Sequence, residues 1–140
     1  MRKVAAIFGV LVLLVVLGGC EMPINYSEQP LEGLGGAEGW TLVSGTISSS
    51  GFVSMEGSIA DTSITFTVDP LVVGEVRLDF NLFDLANAKT VTYYDGTTNY
   101  IMAEGGYEIT AITDTTVSGQ MYVYDSNQTF SGTFTLTIQN

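Results

Sequence analysis

The chain reads as an all-β protein, an antiparallel β-sandwich or closed β-barrel of about eight or nine short strands. Three observations lead there. From Trp40 onward apolar and polar residues alternate, the period of two that sends successive side chains to opposite faces of a sheet. Clusters of Asp, Asn, Ser and Gly interrupt the alternation at short intervals, as hairpin turns require. Helical periodicity is confined to Leu82 to Ala88, too short a run to compete.

Ahead of this domain, Met1-Arg2-Lys3 is a short basic start and Val4 to Leu17 an apolar run broken only by Gly9. Leu17-Gly18-Gly19-Cys20 follows, and Cys20 is the only cysteine. A basic segment, an apolar segment and small residues before a cleavage point make a secretory signal peptide over residues 1–19. The run from Val4 to Gly19 is short of the roughly 20 apolar residues a spanning helix needs. The ending Leu-Gly-Gly-Cys resembles the lipobox of bacterial lipoprotein precursors. That resemblance implies cleavage before Cys20, diacylglycerol on its thiol, and often a further acyl chain such as palmitate on the new amino group. It makes the membrane a partner through lipid on Cys20 and places the protein in the bacterial cell envelope. Glu21 rather than Asp follows Cys20, which in the sorting of such lipoproteins fits an outer membrane, facing the periplasm or the cell surface, where the cell has one. One acyl chain binds a bilayer reversibly and two hold it. A lone cysteine has no intramolecular disulfide partner, and lipidation accounts for it.

Residues 20–39 read as the acylated cysteine and a flexible tether. Pro23, Pro30, Gly33, Gly35, Gly36 and Gly39 share the segment with four glutamates, and no periodicity runs through it. The alternative is a packed N-terminal arm held by Ile24, Tyr26, Leu31 and Leu34.

The all-β domain spans residues 40–140. Strands are expected near 40–48, 51–59, 63–69, 74–83, 88–94, 98–103, 106–113, 116–124 and 128–138. The clearest is the last: Phe130, Phe134, Leu136 and Ile138 share one face, and Ser131, Thr133, Thr135 and Thr137 the other. Ile64, Phe66 and Val68 alternate with Thr65 and Thr67. Val76, Leu78, Phe80 and Leu82 alternate with Glu75, Arg77, Asp79 and Asn81. Ser48 to Gly51, Asp95-Gly96, Gly105-Gly106 and Asp125-Ser126-Asn127 are among the turn signals. A short pattern, apolar-x-Gly-x-apolar, centres on Gly45, Gly57, Gly119 and Gly132. Glycine inside a strand marks a bend, a bulge or the close approach of another backbone, so these positions predict a strongly curved sheet.

The full chain carries a formal charge of −11. Without the leader, only Arg77 and Lys89 stand against fifteen acidic residues, a formal −13. Such a surface repels nucleic acid, which is therefore not an expected partner. The chain has no histidine, so the commonest general base and zinc ligand are missing. No Gly-x-Ser-x-Gly elbow accompanies the many serines, and Lys89 is the one lysine outside the leader. Asp79 and Asp84 lie at a separation that sets them on opposite faces of a strand, unsuited to a carboxylate pair. Calcium is the metal to weigh, at Asp61, Asp69, Asp84 with Asn87, Asp95 with Asn99, Asp114, and Asp125 with Asn127. Each loop holds a single Asp, as turn chemistry alone requires. No catalytic residue, metal site or cofactor is expected.

Aromatic residues remain. Adjacent Tyr93 and Tyr94 must face opposite sides, so one points outward. Tyr122 and Tyr124 share a face opposite Met121 and Val123. Tyr93, Tyr94, Tyr122 and Tyr124 are thus the candidate surface-binding aromatics, for a protein or carbohydrate partner. Gly39-Trp40 at the opening of the first strand resembles the Gly-x-Trp of lipocalins without the middle residue; that likeness implies a barrel carrying a small apolar ligand. The expected function is a lipid-anchored, non-catalytic structural or binding module of the envelope, with the carrier as alternative. A hollow interior would mark the carrier, a filled one the module.

Overall fold

A computed structural model describes residues 22–140; the signal-peptide helix expected over residues 1–19, and Cys20, lie outside the described residues. Ten strands build one mixed sheet that curls into a half-barrel. They are β1 (Glu32–Gly35), β2 (Leu42–Ser48), β3 (Phe52–Gly57), β4 (Ser63–Thr67), β5 (Gly74–Arg77), β6 (Val91–Tyr94), β7 (Asn99–Met102), β8 (Glu104–Ile112), β9 (Thr116–Tyr124) and β10 (Gln128–Gln139). Their order is β5-β8-β9-β10-β2-β3-β4-β6-β7, with β1 added to β10. Every pairing between neighbours is antiparallel except β10 with β2, where Thr137 lies opposite Thr46. That parallel seam makes the sheet mixed, where the alternation alone had predicted an antiparallel one.

The alternating residues fill the concave side. Val53, Met55, Ile64, Val91, Met102, Val117, Met121, Val123, Phe130 and Leu136 are fully buried. Phe66 of β4 meets Tyr107 of β8 with ring centroids 4.8 Å apart, and Tyr93 of β6 meets Phe130 of β10 at 4.7 Å. Neither pair joins neighbouring strands, so these rings span the interior. Trp40 sets its ring edge-on to Phe130 at 5.2 Å, the arrangement the ring quadrupoles favour. Each fully buried large side chain contributes roughly 1.5–3 kcal/mol.

Two of the patterned glycines show why the sheet needs them. A Cβ on Gly57 would overlap the Trp40 indole. Gly132, at φ +141°, lies under the N-terminal segment, where a Cβ would meet the Leu31 Cα and N at 2.6 Å. Close approach of another group is therefore the use made of glycine here. The apolar neighbours are not all inward: Val43 and Ile59 are exposed, and the β2–β3 register shifts between Leu42 and Ser44.

Three segments depart from expectation. The stretch expected as a flexible tether is packed. Leu31 and Ala37 belong to the core, β1 pairs with β10, and the Thr133 amide donates to the Gln29 carbonyl at 2.8 Å. Upstream, the Tyr26 hydroxyl donates to Glu75 Oε2 at 3.0 Å and Arg77 Nη2 donates to the Met22 carbonyl at 2.8 Å. Residues 22–31 thus form a strap that passes over the outer side of β5, β8 and β9 and then bonds to the edge of β10, the packed-arm alternative. The strand expected over 74–83 stops at Arg77. The Leu78 amide still reaches the Gly105 carbonyl at 2.9 Å, but β8 begins at Glu104, so the chain beyond has no ladder to continue. Instead Asp79 and Lys89 exchange two backbone hydrogen bonds, at 2.8 and 2.7 Å, joining the chain leaving β5 to the chain entering β6. Between them Phe80 and Leu82, expected inward, are exposed. The short helical candidate there is a single 3-10 turn, Leu85–Asn87.

Candidate functional site

Strand parity decides where the candidate tyrosines go. In β6, Val91 and Tyr93 have the same parity and both are buried, so Tyr94 is the residue left on the outer side. Tyr93 stacks on Tyr100 at 6.2 Å and offers no outward surface, which removes it from the candidates. Burial first, then the nearby Asp95, pushes its hydroxyl pKa above the usual tyrosine value. Tyr94 is half-buried, and its hydroxyl donates to the Gly96 carbonyl at 2.8 Å within the β6–β7 turn.

Tyr122 and Tyr124 do sit together on the outer face of β9, centroids 5.4 Å apart and planes at 59°. Met121 and Val123 take the core side, as the alternation requires. Beside the pair runs an open groove of about 520 Å³. Arg77 and Glu104 line it with the tyrosines, and the strap residues Met22 and Ile24 form its other wall. Arg77 ties the walls together: its Nη2 holds the Met22 carbonyl and its Nε lies 3.4 Å from Glu75 Oε1. Tyr26 closes the same face over Glu75; burial, with the Glu75 carboxylate next in importance, holds its hydroxyl well above the ordinary pKa of 10. The groove therefore offers two aromatic faces, a guanidinium and a carboxylate on a polar rim. Sequence reading missed Arg77 and the strap as parts of it. The available signal was Ile24, Tyr26 and Leu31, the apolar residues of the packed-arm alternative.

A second groove, of about 370 Å³, lies between β4 and the segments around Leu78 and Lys89. Phe66, Leu78 and Tyr107 floor it, and Asp69, Lys89 and several threonines rim it. Burial raises the Tyr107 pKa to about 12. Its described lining includes no serine, so Lys89 stands beside no serine nucleophile there.

The acidic loops are built as turns. Asp95 Oδ1 accepts the Thr97 and Thr98 amides, each at 2.8 Å, and these bonds hold its pKa below the usual carboxylate range. Asp125 Oδ1 accepts the Asn127 and Gln128 amides at 2.7 and 2.9 Å, and its Oδ2 accepts the buried Gln128 side chain. Asp84 accepts both short contacts from the Asn87 amide group. Among the described residues no three His, Cys, Asp or Glu side chains are grouped to hold a metal ion. Among them, too, no helix is long and apolar enough to cross a membrane.

The fold and these grooves define a class, an all-β half-barrel with an outer aromatic groove closed by an N-terminal strap. Compared with protein-family models, curated proteins and solved structures, the chain matches none of them.

Proposed function

We propose that this chain is a lipid-anchored lipoprotein of the bacterial cell envelope whose β-domain is a non-catalytic structural or binding module. The observation that carries the reading is the Leu17-Gly18-Gly19-Cys20 motif behind a basic and then apolar leader. A lipid on Cys20 attaches the domain directly, since Arg77 holds Met22 only two residues downstream. The groove beside Tyr122 and Tyr124 is the place for a protein or carbohydrate partner: aromatic faces stack on apolar or sugar surfaces while Arg77 and Glu104 supply polar contacts. The interior, crossed by the Phe66–Tyr107 and Tyr93–Phe130 contacts, favours a binding module over a carrier of apolar ligands. The acidic surface disfavours nucleic acid.

Metabolic labelling with radioactive palmitate tests the anchor. The natural chain should take up label and fractionate with membranes. Cys20→Ser should take up none and accumulate as uncleaved precursor. Equal labelling of the two chains would refute the lipoprotein reading.

A further inference from the structure

Between Asp79 and Lys89 the chain turns its apolar side chains away from the protein. Phe83 is 99% exposed, Leu82 72%, Leu85 62% and Phe80 44%. The conformation is fixed by the loop's own polar groups. Asn81 Oδ1 accepts the Phe83 amide at 2.9 Å, and the Asp84 carboxylate accepts from Asn87 Nδ2 at 3.1 and 2.9 Å. At the base stands the two-bonded Asp79–Lys89 bridge. A small acidic domain rarely leaves so many large apolar groups together in water, and such a patch marks a contact surface.

The course of the chain says what that surface meets. Arg77, which ends β5, holds the Met22 carbonyl, and the apolar loop departs from the same end of the same strand three residues later. Cys20 is two residues upstream of Met22, so it is at most about 7 Å from it along the chain, and Phe83 at most about 22 Å from Arg77. Charge narrows the chemistry of the partner. The mature chain's formal −13 repels a second copy of itself and an anionic lipid surface alike; Asp79 precedes the loop and Asp84 lies within it, its carboxylate held by Asn87. What remains is contact through apolar burial alone, of the kind that inserts Phe and Leu at the boundary of headgroups and acyl chains.

We propose that residues 80–85 are a second membrane contact, dipping into a zwitterionic bilayer beside the lipid on Cys20 and fixing the domain's orientation. The bilayer's presence rests on the lipoprotein reading. The loop's role does not follow from it, because an anchor alone leaves orientation free.

The test uses the full lipidated chain in vesicles of phosphatidylcholine and phosphatidylethanolamine carrying brominated acyl chains. Phe83→Trp puts a reporter in the loop. Ile59→Trp puts one at another exposed apolar position, in the turn before β4, whose Ser63 pairs with Tyr94 at the end of β6 away from Lys89. Buried Trp40 is common to both. The Phe83→Trp emission should shift to the blue and be quenched by bromine, while Ile59→Trp is unaffected. Vesicle-bound protein in which neither reporter is quenched, or both equally, overturns the proposal. A concentration-dependent blue shift of Phe83→Trp without vesicles also overturns it, in favour of self-association. Palmitate labelling of the same samples separates the two readings. If Cys20 takes no label the lipoprotein reading falls, and the loop is judged by the same reporter with vesicles added: a quenched blue shift upholds it and an unchanged emission overturns it.

Discussion

Trp40 donates its indole N–H to the Thr62 hydroxyl at 3.0 Å, and both residues are buried. Thr62 in turn donates to the Ile59 carbonyl, so one hydroxyl satisfies the largest core side chain and closes the turn between β3 and β4. Replacing Thr62 with Val keeps the shape and removes the acceptor. The orphaned indole N–H should then cost about 1–3 kcal/mol. Urea melts followed by Trp40 fluorescence measure it. Thr67→Val, on an exposed position, should stay within about 0.5 kcal/mol.

The glycines of the repeated pattern should not be equivalent. A methyl at Gly57 would meet the Trp40 ring, which is packed against Phe130 and cannot retreat. Gly57→Ala should cost about 1–3 kcal/mol through overpacking and alter the Trp40 emission. A Cβ at Gly45 would lie 2.6 Å from Leu136 Cδ2, the free end of a side chain that can rotate. Gly45→Ala should therefore be the milder change, and the reverse order in denaturant melts would contradict this account of the packing.

The two faces of β10 give the sharpest contrast in stability. Phe134 is buried and Thr135 exposed, its hydroxyl lying 3.3 Å from that of Ser118. Phe134→Ala should cost roughly 3–5 kcal/mol, and Thr135→Ala no more than about 0.5 kcal/mol. Chemical denaturation of both variants checks the assignment, and a larger loss for Thr135→Ala would place the register one residue out.

Alkaline pH should act on the fold through Tyr26, Tyr93 and Tyr107. Burial is the leading cause in each, and it favours the neutral phenol over the phenolate. A raised folded-state pKa stabilises the fold fully below the unfolded value near 10. That stability is lost as pH rises through the folded values, about 12 for Tyr107. Spectrophotometric titration should therefore show late tyrosine ionisation that coincides with unfolding. Tyr26→Phe should remove one late tyrosine and loosen the strap from Glu75.

The long downstream strands were legible because each buries one face and wets the other. The span 116–124 expected from alternation is the span of β9, and Phe130, Phe134 and Leu136 of β10 lie in the core. The N-terminal segment was legible only as the alternative to a tether. Residues 22–39 contribute only Leu31 and Ala37 to the core, and β1 is held by backbone bonds, which any residue type can make. The end of β5 was misread for the opposite reason: Phe80 and Leu82 keep the alternation after their partner strand has stopped, so the pattern continues where the ladder does not. For Tyr93 and Tyr94, adjacency established that they part company, and only the shared parity with Val91 assigns the inward place to Tyr93. The parallel seam between β10 and β2 has no local signature, because it spans only Thr137 to Gln139 and both strands carry the alternation of their antiparallel partners, β9 and β3.

That seam also bears on how and when the chain can fold. β10 holds β9 and β1 as well as β2, so the centre of the sheet is laid down by a strand made long after β1 and β2. Closing so large a loop costs chain entropy before any of these contacts form, and topologies dominated by distant pairings fold slowly. While β10 is missing, β1 has no ladder and β2 is left as an open edge beside β3. The pairings among β2, β3, β4, β6 and β7 can form without β10, but β8 and β9 cannot join them until it arrives. The last strand made is therefore the one that turns two separate sets of hairpins into a single sheet.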